Sequence, residues 1–179
     1  GSTNPGGNPD LKWLGSDSTS YYNSYALKSD SGWEELMDLI YTLNFSYEDL
    51  GEVLNIDRVL WNFAVNTAIL NLDTYNGYYV HNYYLYKTED GLFQMIPWDF
   101  DNAFVGAILG FDYWSPEVVY NYDSYGSQYD PNSRPLFQKL MADPLRKKQF
   151  DAHLRTVFSE SLLDTSSIRN EIADLHDQA

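Results

Sequence analysis

The stretch 71-NLDTYNGYYVHNYYLYKTEDGLFQMIPWDFD-101 decides how this chain folds. It opens as a polar loop, Asn71 to Gly77, in which Asn76-Gly77 is a strong turn signal. Tyr79 to Tyr86 is rich in aromatic residues and reads as a strand. Thr88-Glu-Asp-Gly91 is a hairpin turn, and Leu92 to Pro97 is the returning strand. That strand delivers the chain to Trp98-Asp-Phe-Asp101. A hairpin brings its two ends together. Asn82 near the start and Asp99 just past the end are therefore expected within a few ångströms of each other. Asp73, one loop earlier, is placed to face the same point.

Two carboxylates and an amide oxygen converging on one point suit a hard divalent cation. Mg²⁺ takes few protein oxygens and keeps positions for phosphate and water. A remaining carboxylate can then take a proton from an attacking hydroxyl. A catalytic-loop Asp, an Asn on the metal, a hairpin and a metal-binding Asp succeed one another in this order in protein kinases. The spacings here are longer, so the standard kinase motifs are not literally present. Asp101 reads either as a second ligand or as a cap for the next segment.

Upstream, Asn55 or Asp57 starts what reads as the longest helix, running to about Leu70. Ile56, Val59, Leu60, Phe63, Thr67 and Leu70 mark its apolar face. Asn66 and Asn71 interrupt that face. A buried amide is costly unless satisfied, so these two are expected to hold the loop that carries Asp73. Leu36, Leu39, Ile40 and Leu43 predict a helix over 33–44, opened by a capping box at Ser31-Gly-Trp-Glu34. Ser46 opens a second short helix in the same way. Residues 1–32 read mostly as loop, with a short strand at Tyr25 to Lys28. Downstream, 110–133 is a long Tyr/Asp/Ser/Gly loop. Ser133 is a candidate cap for a helix over 134–142, and Asp143-Pro144 is a cap with Pro next to it at the first helical position. Phe150, Leu154, Val157 and Phe158 give that helix its face; Ile168, Ile172 and Leu175 give a last one. No repeat or linker divides the chain, so 1–179 reads as one α+β domain, mainly helical, around a small antiparallel hairpin.

The 179 residues suffice for one domain with a real core. Eleven Lys and Arg against 26 Asp and Glu give a net charge of −15, which repels nucleic acid and anionic membranes. It also repels nucleotides, so ATP binding would need local neutralisation by metal. The acidity favours basic protein partners. With no Cys, disulfides, thiolate zinc sites and a Cys nucleophile are excluded. No apolar run is long enough for a membrane span, and no signal peptide is visible. Gly1-Ser2 reads as an appended dipeptide, so the natural N-terminus is expected to lie elsewhere.

Trp61-Asn-Phe, Asn71-Leu-Asp-Thr-Tyr75, His81-Asn-Tyr-Tyr-Leu-Tyr86 and Ile96-Pro-Trp-Asp-Phe-Asp101 resemble the signature run of the CotH family. Asn8-Pro-Asp-Leu-Lys12 and Tyr25-Ala-Leu-Lys28 resemble it too. The similarity spans roughly residues 5–175 and is densest over 56–101. The resemblance implies a kinase C-lobe-like fold and an atypical protein kinase, secreted or on a cell or spore surface. It implies ATP and a divalent metal, Mg²⁺ or Mn²⁺, acting on Ser/Thr-rich protein substrates. Asp73 would be the catalytic carboxylate and Asp99 the principal metal ligand. Asn82 and Asp101 would add ligands, with Asp99 and Asn82 also serving the nucleotide through the metal. The family's earlier part, with the N-terminal lobe and a phosphate-contacting Lys, is absent from this stretch. The chain alone is then expected to bind metal and nucleotide weakly.

Blander readings stand beside these. Asp73 also suits an ordinary Asx turn. His81 reads as a hydrogen-bonded strut rather than a base. Lys12 and Lys28 read as solvated, although Lys28 is a candidate for approaching a phosphate if the remaining lobe is present. Tyr79/Tyr83 and Tyr84/Tyr86 read as sheet packing. The loop aromatics Tyr113, Trp114, Tyr120, Tyr122, Tyr125 and Tyr129 are either a ligand platform or an interface. The rival function is a secreted non-enzymatic module, stabilised by Ca²⁺ and binding glycan or a protein partner. A hydrolase built on Asp99 and Asp101 ranks last, because acids two residues apart rarely flank a glycosidic bond. The oligomeric state is not legible.

Overall fold

The computed structural model describes residues 7–71, 73–77, 79–103, 107–108, 111–112, 134–160 and 164–178. The fold is α+β and mainly helical. Six helices are described: α1 Trp33–Phe45, α2 Leu50–Val53, α3 Ile56–Ala68, α4 Pro135–Ala142, α5 Pro144–Ser159 and α6 Thr165–Gln178. The strands are β1 Tyr83–Lys87, β2 Phe93–Pro97, β3 Ala107–Ile108 and β4 Phe111–Asp112. They form two separate antiparallel pairs, β1 with β2 and β3 with β4.

Helix α3 is the element on which the site rests. Asn55 caps it, its side chain accepting from the Arg58 N–H at 3.1 Å. Ile56, Val59, Leu60, Phe63 and Ala64 are buried, facing β2 and α5. At 13 residues α3 is shorter than α5, at 16, so it is not the longest helix. The Asn55 N–H donates to the Phe93 carbonyl at 2.9 Å, tying the start of α3 to β2. An aromatic chain continues the core: Phe63 stacks on Tyr75, and Phe137 meets both Phe63 and Phe150 edge-on.

The hairpin register runs from Tyr83↔Pro97 to Lys87↔Phe93. Tyr83, Phe93 and Met95 point to the core, whereas Tyr86 is 58% exposed. Gly91, at φ 88°, supplies the left-handed position that closes the Thr88–Gly91 turn. The first strand begins at Tyr83 rather than Tyr79, because Asn82 sits at φ 56° and breaks the extended run. Tyr79 therefore lies outside the sheet and stacks on His81.

Residues 9–15 are held by phenols. Tyr75 donates to the Asp10 carbonyl at 2.9 Å, and Tyr83 donates to the Pro9 carbonyl. Tyr25 accepts from the Leu11 N–H at 2.8 Å, and Tyr21 accepts from the Leu14 N–H at 2.9 Å. Leu11 is buried at φ 62°, a strained conformation that this set of contacts maintains.

Several expectations fail for identifiable reasons. Tyr25 to Lys28 is not a strand; the Tyr25 N–H is committed to the Tyr21 carbonyl at 2.9 Å. No capping box opens α1, because Gly32 is the N-cap at φ 140° with no side-chain bond. Ser46 makes no capping bond either, and a 3-10 turn, Tyr47–Asp49, precedes α2. Arg134 is the N-cap of α4, and Ser133 lies outside the described residues. Asp143 caps α5 as expected, accepting from the Leu145 and Arg146 N–H groups. Phe158 is 58% exposed, so it does not belong to the buried face of α5. Ile172 and Leu175 of α6 are also exposed. Lys12 is not simply solvated, since its Nζ lies 3.4 Å from Asp10 Oδ2. Of the 110–133 loop, Phe111–Asp112 is a short strand, and the loop aromatics fall outside the described residues. Among the described residues, no helix is long and apolar enough to cross a membrane.

Candidate active site

The site is built at the C-terminal end of α3. The helix stops because Leu70 turns left-handed, at φ 50°. The Asn71 N–H reaches back to the Asn66 carbonyl at 2.9 Å and the Leu70 N–H to the Thr67 carbonyl at 3.2 Å, the bond pattern of a Schellman motif. A ladder of buried amides then carries order into the next loop. The Asn66 side-chain NH₂ donates to Asn62 Oδ1 at 2.7 Å, and that of Asn71 donates to Asn66 Oδ1 at 2.9 Å. The Asp73 N–H donates to Asn71 Oδ1 at 3.1 Å. Asn66 and Asn71 thus hold the Asp73 loop. From the far side, the buried Arg134 guanidinium donates to the Gly77 carbonyl. Asn76 Nδ2 reaches the Phe63 carbonyl at 3.4 Å.

Asp73 is buried, and polar groups converge on it. Its Oδ2 accepts from Asn82 Nδ2 at 3.0 Å and from Asn102 Nδ2 at 3.2 Å. Its Oδ1 lies 2.9 Å from His81 Nδ1. The Asp73 carboxylate beside it raises the His81 pKa; partial burial opposes this, while Asn82 and the charge of Asp99 reinforce it. Asp73 and Asn82, expected to meet, are therefore in direct contact.

Asp99 arrives from the other arm of the hairpin. The Trp98 N–H donates to the Asn82 carbonyl at 3.1 Å, one step past the last β1–β2 pair. Asp99 then turns at φ 56°. It is not an acid embedded between aromatic neighbours, because Trp98 and Phe100 are 56% and 41% exposed and Asp99 is itself exposed. Asp101 stands close to it. The negative charge of Asp99 raises the Asp101 carboxyl above its ordinary range, and a side-chain hydrogen bond between the two acids adds to the effect. Asp101 Oδ1 accepts from Asn102 Nδ2 at 2.9 Å.

Of the four non-glycine residues with positive φ among those described, Leu70, Asn82 and Asp99 flank this site, and Leu11 is the fourth. Such conformations cost about 1–3 kcal/mol each and persist where the surroundings over-determine them. Their clustering at Asp73 singles out this end of the hairpin.

Among the described residues, no group of three or more His, Cys, Asp and Glu side chains is arranged to hold a metal ion. The donors on offer for a cation are the Asp99–Asp101 pair and the amide of Asn82. Mutual repulsion in that pair is the electrostatic condition a divalent cation relieves, and a small set of oxygen donors is what Mg²⁺ takes from protein. Lys28 is exposed and lines a groove of about 670 Å³, walled by residues 25–36 on one side and by Tyr84, Tyr86 and Ile96 on the other. Asn102 is not a residue that the sequence singles out. An Asn after an acidic turn looks like local capping, and nothing in its spacing announces a bond to a residue 29 positions earlier.

No curated protein matches the chain. A family model described as "CotH kinase protein" matches residues 5–179. That match takes in every residue of the site around Asp73, and the chain belongs to the CotH kinase family.

Proposed function

We propose that this chain carries the phosphotransfer site of a protein kinase that moves the γ-phosphoryl group of ATP to Ser or Thr hydroxyls of a protein. The contact between Asp73 and Asn82 at 3.0 Å carries the reading, because it joins the loop after α3 to the hairpin that delivers Asp99. In this reading Asp73 orients the acceptor hydroxyl and takes its proton as the new O–P bond forms and ADP departs. Asp99 and Asp101 would hold the divalent cation, with the Asn82 amide beside them. The cation would supply charge neutralisation for the phosphates, which a chain of net charge −15 otherwise repels. The groove against Tyr84, Tyr86 and Ile96 has the size and apolar walls of a small-molecule site, and it borders the strand that leads to Asp99. An acidic surface favours a basic, Ser/Thr-rich protein as the acceptor.

The test is phosphate incorporation from labelled ATP by the natural full-length protein and its Asp73→Ala and Asp99→Ala variants. Each substitution is expected to lower transfer by about 100-fold or more. Equal labelling by all three proteins removes the reading. A parallel thermal-shift series separates the alternatives. Stabilisation by Mg²⁺ or Mn²⁺ that grows on adding ATP supports the kinase. Stabilisation by Ca²⁺ alone, indifferent to ATP, supports a non-enzymatic binding module.

A further inference from the structure

Asn102 makes two bonds that no other described side chain makes together. Its Nδ2 donates to Asp73 Oδ2 at 3.2 Å and to Asp101 Oδ1 at 2.9 Å. One amide thus spans the carboxylate proposed to receive a proton and a carboxylate proposed to hold a cation. With Asn82 also donating to Asp73 Oδ2, that oxygen holds two amides, while Oδ1 makes no hydrogen bond and has His81 Nδ1 beside it at 2.9 Å. The two amides on Oδ2 thereby set the direction in which Oδ1 faces an incoming hydroxyl. Asn82 is anchored by the strand pairing at its carbonyl, through the Trp98 N–H. Asn102 lies beyond the hairpin, in a turn at 101–103 closed by the Ala103 N–H to the Phe100 carbonyl at 2.9 Å.

We infer that Asn102 is a positioning residue that couples occupation of the Asp99–Asp101 pair to the orientation of Asp73. The inference rests on the kinase reading above for its catalytic half. While its amide shares Asp101 Oδ1, Asn102 competes with a cation for that oxygen. Drawing Asp101 toward a cation pulls on the same amide that orients Asp73. Loss of the side chain therefore has opposite effects at its two ends. The Asp99–Asp101 pair keeps or gains cation affinity, because one competing donor is gone. Asp73 loses alignment, and the chemical step slows.

The experiment compares wild type, Asn102→Ala and Asn102→Gln in the natural full-length protein. Mg²⁺ binding is measured by calorimetry without nucleotide, and phosphate transfer is measured with kcat and the KM for ATP separated. Thermal unfolding checks that each variant folds. The expected result for Asn102→Ala is Mg²⁺ affinity equal to or tighter than wild type. Its kcat falls about tenfold or more and its KM for ATP stays within about twofold. Asn102→Gln, which keeps a side-chain NH₂, recovers part of the kcat. Weaker Mg²⁺ binding together with lower kcat marks a merely structural residue and overturns the inference. So does a variant indistinguishable from wild type in both. If wild type transfers no phosphate, the kinase reading falls, while Mg²⁺ affinity still decides the metal end: a loss in Asn102→Ala overturns the coupling.

Discussion

His81 Nδ1 and Asp73 Oδ1 stand 2.9 Å apart, and the pairing raises the imidazole pKa above its ordinary 6.5. A His whose pKa is higher in the folded than in the unfolded chain stabilises the fold fully below the unfolded value. That stabilisation is lost as pH rises through the folded value. His81→Gln is thus expected to cost more stability at about pH 5.5 than at about pH 9. Nuclear magnetic resonance on the metal-free protein should place the wild-type His81 titration above 6.5, and Asp73→Asn should move it back toward 6.5. An unchanged midpoint in Asp73→Asn would show that the pair is not formed in solution.

Asp101 gives the opposite lesson. The negative charge of Asp99 raises the Asp101 carboxyl above the ordinary 3.8. A carboxyl raised in the folded state contributes stability below its unfolded pKa and loses it as pH climbs through the folded one. At neutral pH the ionised pair therefore works against the fold. Asp101→Asn should raise the thermal midpoint of the metal-free protein at neutral pH, and the gain should vanish below about pH 4, where the carboxyl is protonated. Since an amide is a poorer ligand for a hard cation, the same substitution should weaken Mg²⁺ binding. A midpoint unchanged at neutral pH would contradict the repulsion.

The amide ladder carries a third prediction. Asn66 is 1% exposed and serves both Asn62 and Asn71. Asn66→Leu leaves Asn62 Oδ1 and Asn71 Nδ2 without these partners. With these buried hydrogen bonds removed, the loss should be about 2–3 kcal/mol, read from urea unfolding. Because Asn71 holds the Asp73 N–H, the variant should also broaden the amide signals of residues 71–77 ahead of global unfolding. A loss below about 0.5 kcal/mol would show that the ladder is incidental.

The sequence announces α3 and the hairpin because each has a strong local signal: apolar residues at helical spacing in one, a Thr-Glu-Asp-Gly turn in the other. From the hairpin, the return of the chain beside Asn82 follows by closure, and the Trp98 N–H bond to the Asn82 carbonyl shows it; that Asp73 faces the same point follows from its place one loop earlier. Side-chain alternation misplaces the start of β1, since it does not register a single positive φ. Asn is nevertheless a residue that tolerates the left-handed region, and Asn82 carries that hint. Asn102 and Arg134 are not legible. Their partners lie 29 and 57 positions away, at Asp73 and Gly77, and single polar side chains leave no periodic trace. Tyr83 reads as sheet packing, yet its hydroxyl also bonds the Pro9 carbonyl. Tyr75 bonds both the Asp10 carbonyl and the Leu136 N–H.

That last arrangement has a consequence for the order in which the molecule is completed during synthesis. Residues 9 and 10 leave the ribosome well before the tyrosines that grip them, which lie 74 and 65 positions further on. The stretch around Pro9 and Asp10 is therefore locked only after residues 75 and 83 have been made. Until Tyr75 and Tyr83 have emerged and settled, that stretch lacks both of these bonds and is open to a chaperone or protease.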